Sequence, residues 1–109
     1  MKSFKDHINE TYVYHRSDVK NHESIRQRGL TSKRMVAANG NPFKFPISFA
    51  SKQKDTDGYA DGPSKLYRVN IRHLKDAGKD PFSGYVRTIH DVPPQHIEVE
   101  NNGKWKKLK

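Results

Sequence analysis

The apolar residues of this chain arrive in short clusters such as Phe45–Ala50, each closed off by Gly, Pro, Asn or Asp. A bilayer-spanning helix needs roughly 20 predominantly apolar residues, so no membrane partner is expected. What the clusters allow is a set of short strands. Thr11–His15, Ile47–Ala50, Leu66–Ile71, Tyr85–Ile89 and Ile97–Val99 are rich in β-branched and aromatic residues and read as strands. In Leu66–Ile71, the residues Leu66, Arg68 and Asn70 alternate with Tyr67, Val69 and Ile71. Asp18 or Ser17 caps a short helix whose apolar contacts are Val19, Ile25 and Leu30, and Gly29 stops it. Thr31–Pro46 reads as a polar loop turning at Asn39-Gly40-Asn41-Pro42, and the stretch after Ala50 as a short helix or loop through Tyr59. One strand, one helix and then mostly strands point to an α+β domain on antiparallel sheets.

With 109 residues, the chain has room for one domain and one core. Only 32% of residues are hydrophobic and the mean hydropathy is −1.04, so that core is small. Cysteine is absent, which excludes a disulfide framework and a thiolate zinc site. The six histidines offer no pair at helical i,i+4 spacing with a carboxylate base, and no metal site is expected. Met1–Tyr14 is polar and lacks the apolar segment of a secretory signal. A net charge of +9 implies a polyanion such as RNA, or an acidic protein, as partner. Lys33, Arg34, Arg68, Arg72, Arg87 and a basic tail over about residues 103–109 are candidates for an RNA-facing surface, with Trp105 or Tyr67 as a stacking face.

Three segments carry a family resemblance. Tyr14-His15-Arg16-Ser17, followed by Ser24-Ile25-Arg26-Gln27-Arg28-Gly29-Leu30, resembles the opening of the ADP-ribosyltransferase superfamily, where a strand ends in His-Gly-Thr or His-Gly-Ser and a helix ends in Ile-x-x-x-Gly-Leu. Ile47-Ser48-Phe49-Ala50-Ser51, through Thr56 and Tyr59, is similar to the second motif of the poly(ADP-ribose) polymerase branch. Asp76–Ile97, with Ser83-Gly84-Tyr85-Val86-Arg87-Thr88 and Val92-Pro93-Pro94-Gln95-His96-Ile97, resembles the catalytic lobe of the RNA 2′-phosphotransferases. The resemblance implies a single small ADP-ribosyltransferase-like domain over residues 1–109, a mostly antiparallel split sheet with short helices, and NAD as a substrate.

It also implies roles. Cleavage of the bond between nicotinamide and ribose passes through an oxocarbenium-like state, so the site must hold a bent dinucleotide and stabilise positive charge. His15 is the candidate for the ribose contact, with one ring tautomer fixed. Arg16, Ser17 and Ser48 join the cofactor-binding set, Thr56 would bond the carboxamide, and Tyr59 would stack on the nicotinamide ring. Two departures stand out. Arg16 occupies the usual Gly position, and Gly84 occupies the place of the catalytic Glu, which Asp80, Glu98 and Glu100 do not match. The RNA 2′-phosphotransferases also lack that Glu, because a phosphate acceptor is already ionised near neutral pH. Arg87 is then the catalytic candidate that holds the acceptor.

The expected activity is transfer of ADP-ribose to a macromolecule, with RNA or another phosphate-bearing acceptor favoured by the charge. A small basic domain of this kind also suits a bacterial toxin, delivered within a secreted protein, acting in the cytoplasm and neutralised by an acidic immunity protein. Two other classes stay open: a metal-independent RNase toxin using His15 or another His with Arg87 and Thr88, and a noncatalytic nucleic-acid-binding module.

Overall fold

In a computed structural model, residues 12–56, 62–80 and 83–109 are described. Strand β1 (Tyr12–Asp18) runs on past the expected TYVYH segment because Arg16, Ser17 and Asp18 find partners on β5 (Ser64–Asn70). Alternation along β1 turns Val13 and His15 to one face and Tyr12, Tyr14 and Arg16 to the other. On β5, Tyr67 and Val69 are fully buried. Next to β5 lies β8 (Ile97–Asn101), then β9 (Lys104–Lys107), in an antiparallel sheet ordered β1-β5-β8-β9.

The last strand corrects the expected basic tail. Asn102 and Gly103 take φ of 53° and 79°, the two left-handed positions of a type I′ turn, and this folds Lys104–Lys107 back onto β8. Leu108 then buries itself with the core, and its N–H bonds the Ile97 carbonyl at 3.0 Å.

A three-stranded antiparallel sheet places β7 (Val86–Thr88) between β4 (Ile47–Phe49) and β6 (Gly78–Lys79). Its inner face is Ile47, Phe49, Val86 and Thr88, all buried, and the Thr88 hydroxyl donates to the Lys75 carbonyl at 2.7 Å. The expected polar loop over Thr31–Pro46 is instead a hairpin of β2 (Lys33–Val36) and β3 (Pro42–Phe45), in register Lys33 to Phe45 and Met35 to Phe43. Among the described residues no third strand joins it, and four of the six large apolar side chains exposed there sit on this hairpin: Met35, Val36, Phe43 and Phe45.

The Asp18 carboxylate accepts from the Lys20 N–H at 3.1 Å, capping a 3-10 turn that leads into helix α1 (His22–Arg28). Ile25 and Leu30 enter the core as expected, but Val19 is exposed. The chain leaves α1 through Gly29, and Leu30 exchanges both backbone hydrogen bonds with Val92. Among the described residues, one short α-helix on antiparallel sheets makes this a small α+β domain. No helix among the described residues is long and apolar enough to cross a membrane.

Candidate functional site

Among the described residues, one backbone bridge joins the two larger sheets. Tyr14 on β1 and Ala50, just past β4, exchange N–H···O bonds of 2.8 and 2.7 Å, and the bridge is isolated. In a continued antiparallel ladder the next hydrogen-bonded pair would be Arg16 with Ser48. The strands part there, and the Ser48 carbonyl accepts from His15 Nδ1 at 2.9 Å instead. The imidazole stands at the fork between the sheets, with its ring centroid 5.7 Å from that of Phe49.

A carbonyl can only accept, so Nδ1 carries the hydrogen and Nε2 of the neutral ring is the free acceptor. Burial pushes the His15 pKa below its ordinary 6.5, with the Ser48 bond opposing, so the ring is neutral at pH 7. Between the lowered folded value and 6.5, the unfolded chain takes up a proton that the folded chain refuses, so stability falls as the pH drops through that window. His22 and His73 are shifted in the same direction, mainly by desolvation. Thermal melts between about pH 8 and pH 5 should therefore show a falling melting temperature below about pH 6.5, and His15→Asn should flatten part of that slope.

The fork opens into a cleft of about 400 Å³, within the range of small-ligand sites. Tyr14, His15 and Arg16 on β1 face Ile47 and Ser48 on β4. Lys33 and Phe45, from the base of the hairpin, form a third side. The Arg16 guanidinium is anchored by Nε to the Thr56 hydroxyl at 3.2 Å and by NH1 to the Ser64 hydroxyl at 3.0 Å. Arg16 and Lys33 give the walls positive charge, and no carboxylate is among the described residues lining the cleft.

Of the residues singled out in the sequence, His15, Arg16 and Ser48 come together in this cleft. Thr56 is fully buried, its hydroxyl donating to the Gln53 carbonyl at 2.7 Å while accepting from Arg16, so it positions Arg16. The Ser17 hydroxyl accepts from Asn21 Nδ2 at 3.0 Å outside the cleft lining. Arg87 is directly across from Ser48 in the β4–β7 ladder, with NH1 3.4 Å from Asp80 Oδ2, and it does not line the cleft. Tyr59 lies outside the described residues. Gly84, in place of the family Glu, has a carbonyl that accepts from the Ser51 hydroxyl at 3.2 Å. The nearby acids are engaged elsewhere: Glu98 with Arg68 at 2.9 Å, and Glu100 with the Gly103 N–H at 2.7 Å.

Sequence reasoning missed Lys33 and Phe45 as cleft residues. The signal was there, since apolar and basic residues flank an Asn-Gly turn on both sides at hairpin spacing. Of the two proposed stacking faces, Tyr67 is fully buried and hydrogen-bonded to His22 Nδ1 at 2.8 Å, its pKa pushed up to about 12 by burial, so it cannot serve. Trp105 is half-buried on β9, 6.0 Å from the Tyr14 ring and beneath the Arg68 guanidinium, which it shares with Tyr12. Comparison with protein-family models, curated proteins and solved structures gave no match.

Proposed function

We propose that this chain is an NAD-dependent ADP-ribosyltransferase acting on a phosphate-bearing macromolecule, with RNA the favoured acceptor. The observation that carries the reading is His15 at the fork of the two sheets, its Nδ1 committed to the Ser48 carbonyl and its Nε2 free to accept from a ribose hydroxyl. A mostly antiparallel split sheet is also what the resemblance in Tyr14–Ser17, Ile25–Leu30 and Ile47–Ser51 implies.

In the reaction, the bond between the ribose C1′ and the nicotinamide nitrogen breaks and nicotinamide leaves with the electron pair. An acceptor oxygen then bonds C1′. His15 orients the ribose through its hydroxyl, and Arg16 and Lys33 attract the diphosphate. No carboxylate that could take a proton is among the described residues lining the cleft, which suits an acceptor that arrives ionised. The neighbouring hairpin favours a polyanion as that acceptor. Residues 31–47 carry Lys33, Arg34 and Lys44 with no Asp or Glu, and the exposed Phe43 and Phe45 offer ring faces beside them. RNA transfer at this site also accommodates the toxin and immunity-protein setting.

His15→Asn separates ligand binding from folding. Its side-chain amide keeps a donor near the Nδ1 position for the Ser48 carbonyl and removes Nε2. Calorimetry should give wild-type binding of NAD and a loss of about tenfold in the variant, the worth of one hydrogen bond of about 1.4 kcal/mol. Unchanged affinity would place NAD away from His15.

A further inference from the structure

A second polar recess, of about 220 Å³, lies at the Tyr12–Asn70 end of the four-stranded sheet, away from the NAD cleft. Two 3-10 turns meet there, Ile71–His73 and Pro94–His96, and each ends on a histidine. The two imidazoles stack with centroids 4.0 Å apart and planes only 7° from parallel. Both rings are half-buried, and their nitrogens make no hydrogen bond with the described residues. Arg72 and Lys107 stand on the rim with exposed side chains.

The stack and its neighbours do not favour a charged ring at His73. Desolvation, His96 and Arg72 all disfavour the charged form of His73. Nor does the pair suit a metal: parallel faces do not converge on one ion, and no group of three His, Asp or Glu side chains among the described residues is placed to hold one. The remaining groups facing the recess leave it positive. Glu98, from β8, is neutralised by Arg68 at 2.9 Å, and Tyr12, from β1, lies under that same guanidinium at 4.0 Å.

We propose that this recess binds a phosphate group, with the rings of His73 and His96 as paired donors and Arg72 and Lys107 as flanking charges. A tetrahedral oxyanion has enough oxygens to accept from both rings and from the rim together. Its negative charge also offsets the influences of His96 and Arg72 that disfavour the charged form of His73. Binding and proton uptake by His73 are therefore linked, and affinity strengthens as the pH falls toward 6.5. This site is independent of the NAD reading and holds if that reading fails.

The test follows the histidine ring signals of the full chain by ¹H–¹⁵N NMR, near pH 6.5 and without NAD. Inorganic phosphate is titrated against sodium chloride at matched ionic strength. The signals of His73 and His96 should move together and saturate with phosphate, and the apparent pKa of His73 should rise, while the signals of His22 and His90 follow the chloride reference. His96→Asn should remove most of the His73 response, and Arg72→Gln should weaken it several-fold. A 5′-phosphorylated dinucleotide saturating at least tenfold lower than inorganic phosphate assigns the group to a nucleic acid; equal saturation assigns free phosphate. Shifts no larger than those in chloride, or an undiminished His73 response in His96→Asn, overturn the proposal.

Discussion

Gly29→Ala should lower the melting temperature by about 20 °C, because it adds atoms where the backbone and the neighbouring chain both exclude them. Gly29 holds φ at 80° and ψ at −162°, a region that only glycine occupies readily. A Cβ there would overlap the Val92 carbonyl oxygen and lie 3.0 Å from the Pro93 Cα, both backbone atoms that cannot swing aside. Strain and overpacking together cost roughly 4 kcal/mol, against the roughly 5–15 kcal/mol that holds whole domains folded. Gly103→Ala is the control. Its φ is 79°, but nothing lies within 4 Å, so only the turn strain of about 1 kcal/mol remains. Urea melts of both variants measure the difference. Equal losses would mean that the contact of Gly29 with the Val92–Pro93 backbone carries no weight.

The same contact ties the fold to the site. Leu30 exchanges both backbone hydrogen bonds with Val92, and that bridge sets the end of α1 beside the cleft, with Leu30 and Thr31 in its wall. The Ile25-x-x-x-Gly29-Leu30 pattern is thus accounted for here by packing: Ile25 is buried, Gly29 turns against Val92, and Leu30 is buried.

The strands legible in the sequence are the ones with a buried face. Tyr12–Asp18, Ile47–Phe49, Ser64–Asn70 and Val86–Thr88 announce themselves because β-branched or aromatic residues must alternate where one side meets the core. Lys33–Val36 and Pro42–Phe45 were illegible by that rule, since neither face of their hairpin is buried. Lys104–Lys107 was masked by its charge. Its turn signal, Asn102-Gly103, was the better guide, and Leu108 supplies the buried anchor that a solvated tail would lack. His15 could be picked out by motif, but its role at the fork could not, because one missing ladder pair between Arg16 and Ser48 is a matter of register between strands more than thirty residues apart. Thr56 shows the reverse: the residue type suits a ligand contact, and burial commits it to Arg16.

Transfer of ADP-ribose from NAD held at the His15 fork, as proposed, is read directly by a transfer assay. Wild type and His15→Asn would be incubated with NAD labelled in the adenylate phosphate, together with total cell RNA and protein, and the two fractions separated. The account predicts label in the RNA fraction, one nicotinamide released per ADP-ribose transferred, and a loss of at least tenfold in His15→Asn with its melting curve largely retained. Label in protein alone would keep the enzyme and overturn the acceptor. No label in either fraction with no nicotinamide released, or RNA cleaved without NAD, would contradict the claim.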